Sequence, residues 1–119
     1  TPSSKGVSLL KTTLLKSALL ILVLLSYAHA VPEYKIGQKI YNKTCYSCHG
    51  NDTRGAAMFT QEGWSELFAL DGQKLTVVHS ANIVANQYFG ERIFQKERNS
   101  LFAFLHKYAS DTPDVPECD

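Results

Sequence analysis

The chain has no acidic residue before Glu33, only three cysteines, one methionine and one tryptophan, and charged residues make up just 19% of its 119 positions. Each scarcity excludes something. Three cysteines are too few and too odd for a disulfide framework of the small secreted kind. Formal net charge is +1, with no clustered basic stretch, which argues against nucleic acid as a partner. No run of strict apolar–polar alternation marks a strand, and there is no internal repeat or low-complexity stretch. The length is too small for a dinucleotide-binding or barrel enzyme. Redox or catalytic work in so short a chain needs a cofactor to supply the chemistry.

The missing acids single out the first 30 residues. Lys5, Lys11 and Lys16 precede an apolar stretch that ends Ala28-His29-Ala30. A positive start, an apolar middle and a small-x-small ending are the layout of a secretory signal peptide. A spanning helix needs about 20 apolar residues, whereas the uncharged run from 17 to 32 has 16. Residues 9–15 can extend it if Lys11 and Lys16 snorkel toward headgroups. Residues 1–30 are therefore expected to be either a signal peptide or an N-terminal membrane anchor. The Thr-Pro start reads as if only an initiator Met were missing. In both cases the remainder is exported to the periplasmic side of the inner membrane. That remainder carries nine basic and eleven acidic residues, a formal −2, and with 45% hydrophobic residues overall suits one small globular domain. The expected division is 1–30, a domain over 31–111, and a tail over 112–119.

Two of the cysteines lie in Cys45-Tyr46-Ser47-Cys48-His49. In an exported chain this spacing reads as covalent attachment of a c-type haem. Two thiols on one helical turn reach the two vinyl groups of one haem, and the adjacent imidazole faces the iron. A thioredoxin-like pair needs a βαβ setting that is absent here. A zinc site needs two further ligands at matching spacing. Cys118, in a Pro-flanked tail, reads as a free or intermolecular thiol at a frayed end, a disulfide to a partner subunit, or a thiolate on the iron.

The periodicity predicts helices over 34–42, 63–70 (ended by Asp71-Gly72), 73–82 and from Asn99 or Ser100 to Ala109. The last has an apolar stripe of Leu101, Phe104, Leu105 and Tyr108, with His106 on its solvated side. Residues 50–55 read as loop. Residues 83–98 are ambiguous, with a turn at Tyr88-Phe89-Gly90. Trp64, Phe68, Tyr88 and Phe89 are core or haem-packing aromatics.

Helix, Cys-x-x-Cys-His, loop, short helices and an amphipathic C-terminal helix together resemble a class I monohaem c-type cytochrome of the small bacterial type, over residues 34–110. The resemblance implies an all-α fold, a bundle of three to five short helices around one covalent haem c, with the N-terminal hydrophobic helix in addition. It implies that Cys45 and Cys48 form the thioethers and that His49 is the proximal ligand. It implies that Gly37 and Tyr41 on the first helix meet Leu105 and Tyr108 on the last, glycine letting the helices approach closely. The segment from Tyr88 to Arg92 looks like the one preceding the axial Met in that family.

The family places that Met about forty residues after the proximal His, but residues 90–95 contain none. The only methionine is Met58, nine residues after His49. His79, on the apolar face of the third helix, leads as the sixth ligand, since neutral imidazole binds iron well. Its other reading is a core His bonded to backbone. Met58 follows, or is a gap-filling core residue. Lys96, Cys118 and a vacant position share the rest.

The expected function is electron transfer by an electron carrier rather than an enzyme, with redox proteins as partners. A membrane-tethered subunit of a respiratory or photosynthetic complex is the leading form. The alternatives are the cytochrome subunit of a periplasmic dehydrogenase such as a sulfite dehydrogenase, a gas or peroxide sensor or catalyst with an open sixth position, and a structural subunit whose haem is a folding staple.

Overall fold

The computed structural model describes residues 3–28 and 30–118, with side chains described for 11–23 and 30–118. His29, in the middle of the small-x-small ending, lies outside the described residues. Every element is helical, with no strand among the described residues, as the all-α expectation requires. The chain divides into two compact units, Thr1–Val31 and Pro32–Asp119.

The first unit is a single helix, α1 (Ser3–Ala28). Its Leu14, Leu15, Leu19, Leu20, Ile21 and Leu22 are exposed. Among the described residues no helix is long and apolar enough to cross a membrane.

The second unit contains α2 (Glu33–Thr44), α3 (Tyr46–His49), α4 (Asp52–Ala56), α5 (Gln61–Val78), α6 (Ile83–Gly90) and α7 (Arg92–Lys107). Its frame is the crossing of α2 over α7. A Cβ added at Gly37 would overlap the Ser100 carbonyl and reach the Phe104 Cβ at 2.8 Å. Only glycine permits that approach. Tyr41, one turn on, is buried against Phe104 with ring centres 5.6 Å apart. Tyr34 meets Tyr108 edge-on at 6.0 Å. The expected partnership of the first and last helices therefore holds, with Ser100 and Phe104 at its closest point. The Leu101, Phe104, Leu105 and Tyr108 stripe is buried throughout.

The last helix begins at Arg92 rather than at 99 or 100. The preceding stretch forms α6 as a helix of its own, closed by extended Glu91. The Asn82 side chain accepts from the Ala85 N–H at 3.0 Å and so starts α6. Asn82 therefore caps the next helix instead of continuing the third one. Residues 50–55 are not wholly loop either, because Asn51 accepts from the Arg54 N–H at 2.9 Å and caps α4. With these two short helices, and with α5 divided by its kink at Asp71-Gly72, the described residues of the second unit hold more helical segments than the expected three to five.

The break expected at Asp71-Gly72 is present. Leu70, Asp71 and Gly72 take φ of 50°, 59° and 73°, left-handed backbone that two non-glycine residues adopt only under outside restraint. The restraint comes from α7: Gln95 Nε2 donates to the Asp71 carbonyl at 3.1 Å and Arg98 pairs with the Asp71 carboxylate at 3.1 Å. The C-terminal tail, expected to fray, is pinned. Buried Gln38 donates from Nε2 to the Glu117 carbonyl and to Asp52, each at 2.7 Å. Asp111 accepts from the Gln61 N–H at 2.9 Å, and Lys107 pairs with Asp114 at 3.2 Å.

Candidate cofactor site

Cys45 closes α2 and opens α3. The Cys48 and His49 amides donate back to the Cys45 carbonyl at 3.3 and 3.0 Å. One tight turn therefore carries both thiols and the imidazole. Gly50, at φ 82°, ends it. The Tyr41 hydroxyl donates to the Gly50 carbonyl at 2.9 Å, so the α2–α7 frame anchors the far end of the turn. Burial, and then the neighbouring Cys45 and Asp52, push the Tyr41 phenol up to about 12, which keeps this donor protonated.

This turn forms one wall of a cavity of about 630 Å³. The facing wall comes from the end of α5, from α6 and from α7, including Leu75, Ala85, Phe89 and Leu105. The volume lies in the range of cofactor sites, roughly 300–1,000 Å³, and most of the lining side chains are apolar. Cys45, Cys48, His49 and His79 all line it. The structure thus brings together the four residues singled out from the sequence.

Cys45 is partly buried and Cys48 exposed. Burial, then Glu97 and Cys48, push the free Cys45 thiol up to about 12. Among the described residues no group of three His, Cys, Asp or Glu gathers as a site for a bare metal ion.

His49 and His79 face one another, with ring centres 5.9 Å apart and planes 78° apart. Burial, and then His79, lower the His49 pKa. This favours the neutral imidazole, the form that ligates metals. His79 sits at the C-cap of α5 rather than within a helix. Its Nδ1 lies 2.8 Å from the Leu75 carbonyl. A carbonyl only accepts, so Nδ1 carries the proton and the neutral ring keeps its lone pair on Nε2. A backbone bond on the distal nitrogen is how ligating histidines are usually oriented. The core-His reading and the ligand reading therefore describe the same hydrogen bond.

The other sequence candidates separate. Met58 also lines the cavity, with 41% of its surface exposed. Lys96 is exposed on α7. Cys118 is exposed one residue past the Gln38 contact with Glu117. His106, expected to be solvated, is half-buried with its ring 5.1 Å from Phe102. Trp64 belongs to core and cavity at once, donating from Nε1 to the buried Ala56 carbonyl at 2.8 Å.

Sequence reasoning missed the Tyr88–Glu97 pair. The Tyr88 hydroxyl donates to the Glu97 carboxylate at 2.7 Å and ties α6 to α7 beside the cavity. Burial first, then Glu97, raise the Tyr88 pKa. The nine-residue spacing spans the boundary between the two helices, so no single helical period reveals it.

No curated protein and no solved structure matches the chain. A family model described as cytochrome C oxidase, cbb3-type, subunit III matches residues 32–105. That span takes in the Cys-x-x-Cys-His turn, His79 and nearly all of α7. The chain belongs to this family of monohaem c-type cytochromes, and its cofactor is one covalently bound haem c.

Proposed function

We propose that this domain carries single electrons between redox partners on the periplasmic side of the inner membrane, as a cytochrome subunit of a respiratory oxidase complex. Family membership supports the haem and the oxidase setting. The apolar run of residues 17–28, with the basic residues before it, supports export, whether the segment stays attached or is removed.

The observation that carries the reading is the His49–His79 pair across one apolar cavity that also holds both cysteines. Cys45 and Cys48 would hold the haem by two thioether links, and His49 and His79 by their imidazoles. The two imidazoles lie across one mostly apolar cavity with centres 5.9 Å apart, and both thiols share the turn that forms its wall. The residues present therefore fit the group. When bound, the haem supplies a one-electron couple at its iron.

The protein supplies the rest. The Leu75 carbonyl keeps a proton on His79 Nδ1, leaving Nε2 to ligate. The lowered His49 pKa keeps that ring neutral. The cavity walls are mostly apolar, and two protein ligands would leave no position for a substrate. Bis-imidazole ligation also sets a lower potential than His/Met ligation.

Carbon monoxide added to the reduced protein tests this. Wild type is expected to keep its low-spin spectrum, and His79→Ala to shift rapidly. A rapid shift in wild type would mean an open sixth position and would replace the carrier with a gas or peroxide site. An unshifted His79→Ala would remove His79 from the ligand set.

A further inference from the structure

The aromatic cluster behind His79 has a use beyond filling space. A ring bound through one nitrogen turns about that bond unless something fixes its plane. The Leu75 carbonyl holds one edge of His79. The Phe89 ring covers one face, with centres 4.4 Å apart and planes 29° apart. Phe89 is itself held edge-on by Phe94 at 4.8 Å and by Tyr88 at 5.1 Å. Tyr88 in turn is bonded to Glu97 on α7. This chain of contacts runs from buried Phe94 and from Glu97 on α7 to the imidazole.

We infer that Phe89 is a positioning residue that fixes the His79 imidazole plane close to a right angle with that of His49, and so sets the electronic character of the iron they ligate. The inference rests on the reading of His49 and His79 as ligands. Parallel imidazoles donate into the same iron dπ orbital and split the pair. Imidazoles 78° apart donate one into each and leave the two close in energy. Oxidised low-spin iron then has a single, strongly anisotropic electron paramagnetic resonance signal, whereas parallel planes give a rhombic spectrum with three resolved features. Packing alone does not produce that difference; orientation does.

The test is the resonance spectrum of the oxidised, haem-loaded full chain. Wild type is expected to show the strongly anisotropic signal. Phe89→Leu, which keeps apolar bulk but removes the flat face, is expected to lose it to a rhombic or mixed spectrum. Phe89→Tyr, which keeps the ring, is expected to retain it. Tyr88→Phe removes only the Glu97 bond and is expected to broaden the signal, which serves if Phe89→Leu fails to mature. A rhombic wild-type spectrum overturns the inference without any variant. A Phe89→Leu spectrum identical to wild type overturns it as well. His79→Ala separates the two readings. If its spectrum matches wild type, the ligand assignment itself fails. If it turns high-spin while Phe89→Leu stays unchanged, only the positioning role fails.

Discussion

The two sides of α7 solve the same problem by different means. Toward α2 the space is filled by protein: Gly37 lies against the Ser100 carbonyl, Tyr41 and Phe104 pack ring to ring, and Tyr34 meets Tyr108. Toward α5 and α6 the helices enclose a cavity of about 630 Å³ with two cysteines and two histidines on its walls. One side is built to the tolerance of a single methyl group, and the other to the dimensions of a cofactor. A domain of this size has little core to spare. The cofactor is therefore part of the core, and the two sides should respond differently to mutation.

The largest expected effect removes the group from its side altogether. A Cys45→Ala, Cys48→Ala chain should fail to reach a stable fold, although the α2–α7 residues are unchanged. Near-ultraviolet circular dichroism checks this. A native-like aromatic signal would show that the glycine-tight crossing stands without the cofactor.

A smaller effect is expected on the protein-filled side. Gly37→Ala forces the helices apart at a backbone carbonyl, which has nowhere to yield, and should cost about 3 kcal/mol. Thermal melting of the haem-loaded protein should fall while its optical spectrum stays unchanged. A shifted spectrum would mean that the crossing and the cavity are not separable.

The smallest effect belongs to Tyr41, which touches both sides. Tyr41→Phe leaves the ring against Phe104 but strips the Gly50 carbonyl of its donor, at a cost of about 1 kcal/mol. Stability should drop slightly and the spectrum should move slightly, the joint response neither side gives alone. Chemical denaturation followed at the haem band and at the aromatic band measures both.

Much of this division is legible in the sequence, for physical reasons that differ by residue. The Cys-x-x-Cys-His turn is a local geometry, so spacing alone conveys it. Gly37 and the 101–108 stripe are also local, since helical period and the absence of a Cβ are written in a few neighbouring residues. The break at Asp71-Gly72 is a backbone preference. What resists reading depends on distant partners or on the cavity. The α6 helix shows no clear stripe because Ile83 is exposed, while Ala85 and Phe89 face a cavity that periodicity does not reveal. Asn51 suits a turn and a helix cap equally well, which hid α4. The tail is fixed by Gln38, 79 residues away from Glu117, a contact no local pattern announces. His79 is half legible: the apolar face points to it, but the Leu75 carbonyl bond and the Phe89 stack that orient its ring come from the fold.

The ligand reading holds one haem between His49 and His79. The red edge of the oxidised spectrum tests it most directly, because sulfur ligation by methionine produces an iron charge-transfer band there and imidazole does not. Wild type is expected to show a low-spin spectrum with no such band. A methionine–iron band, abolished by Met58→Ala and untouched by His79→Ala, would contradict it.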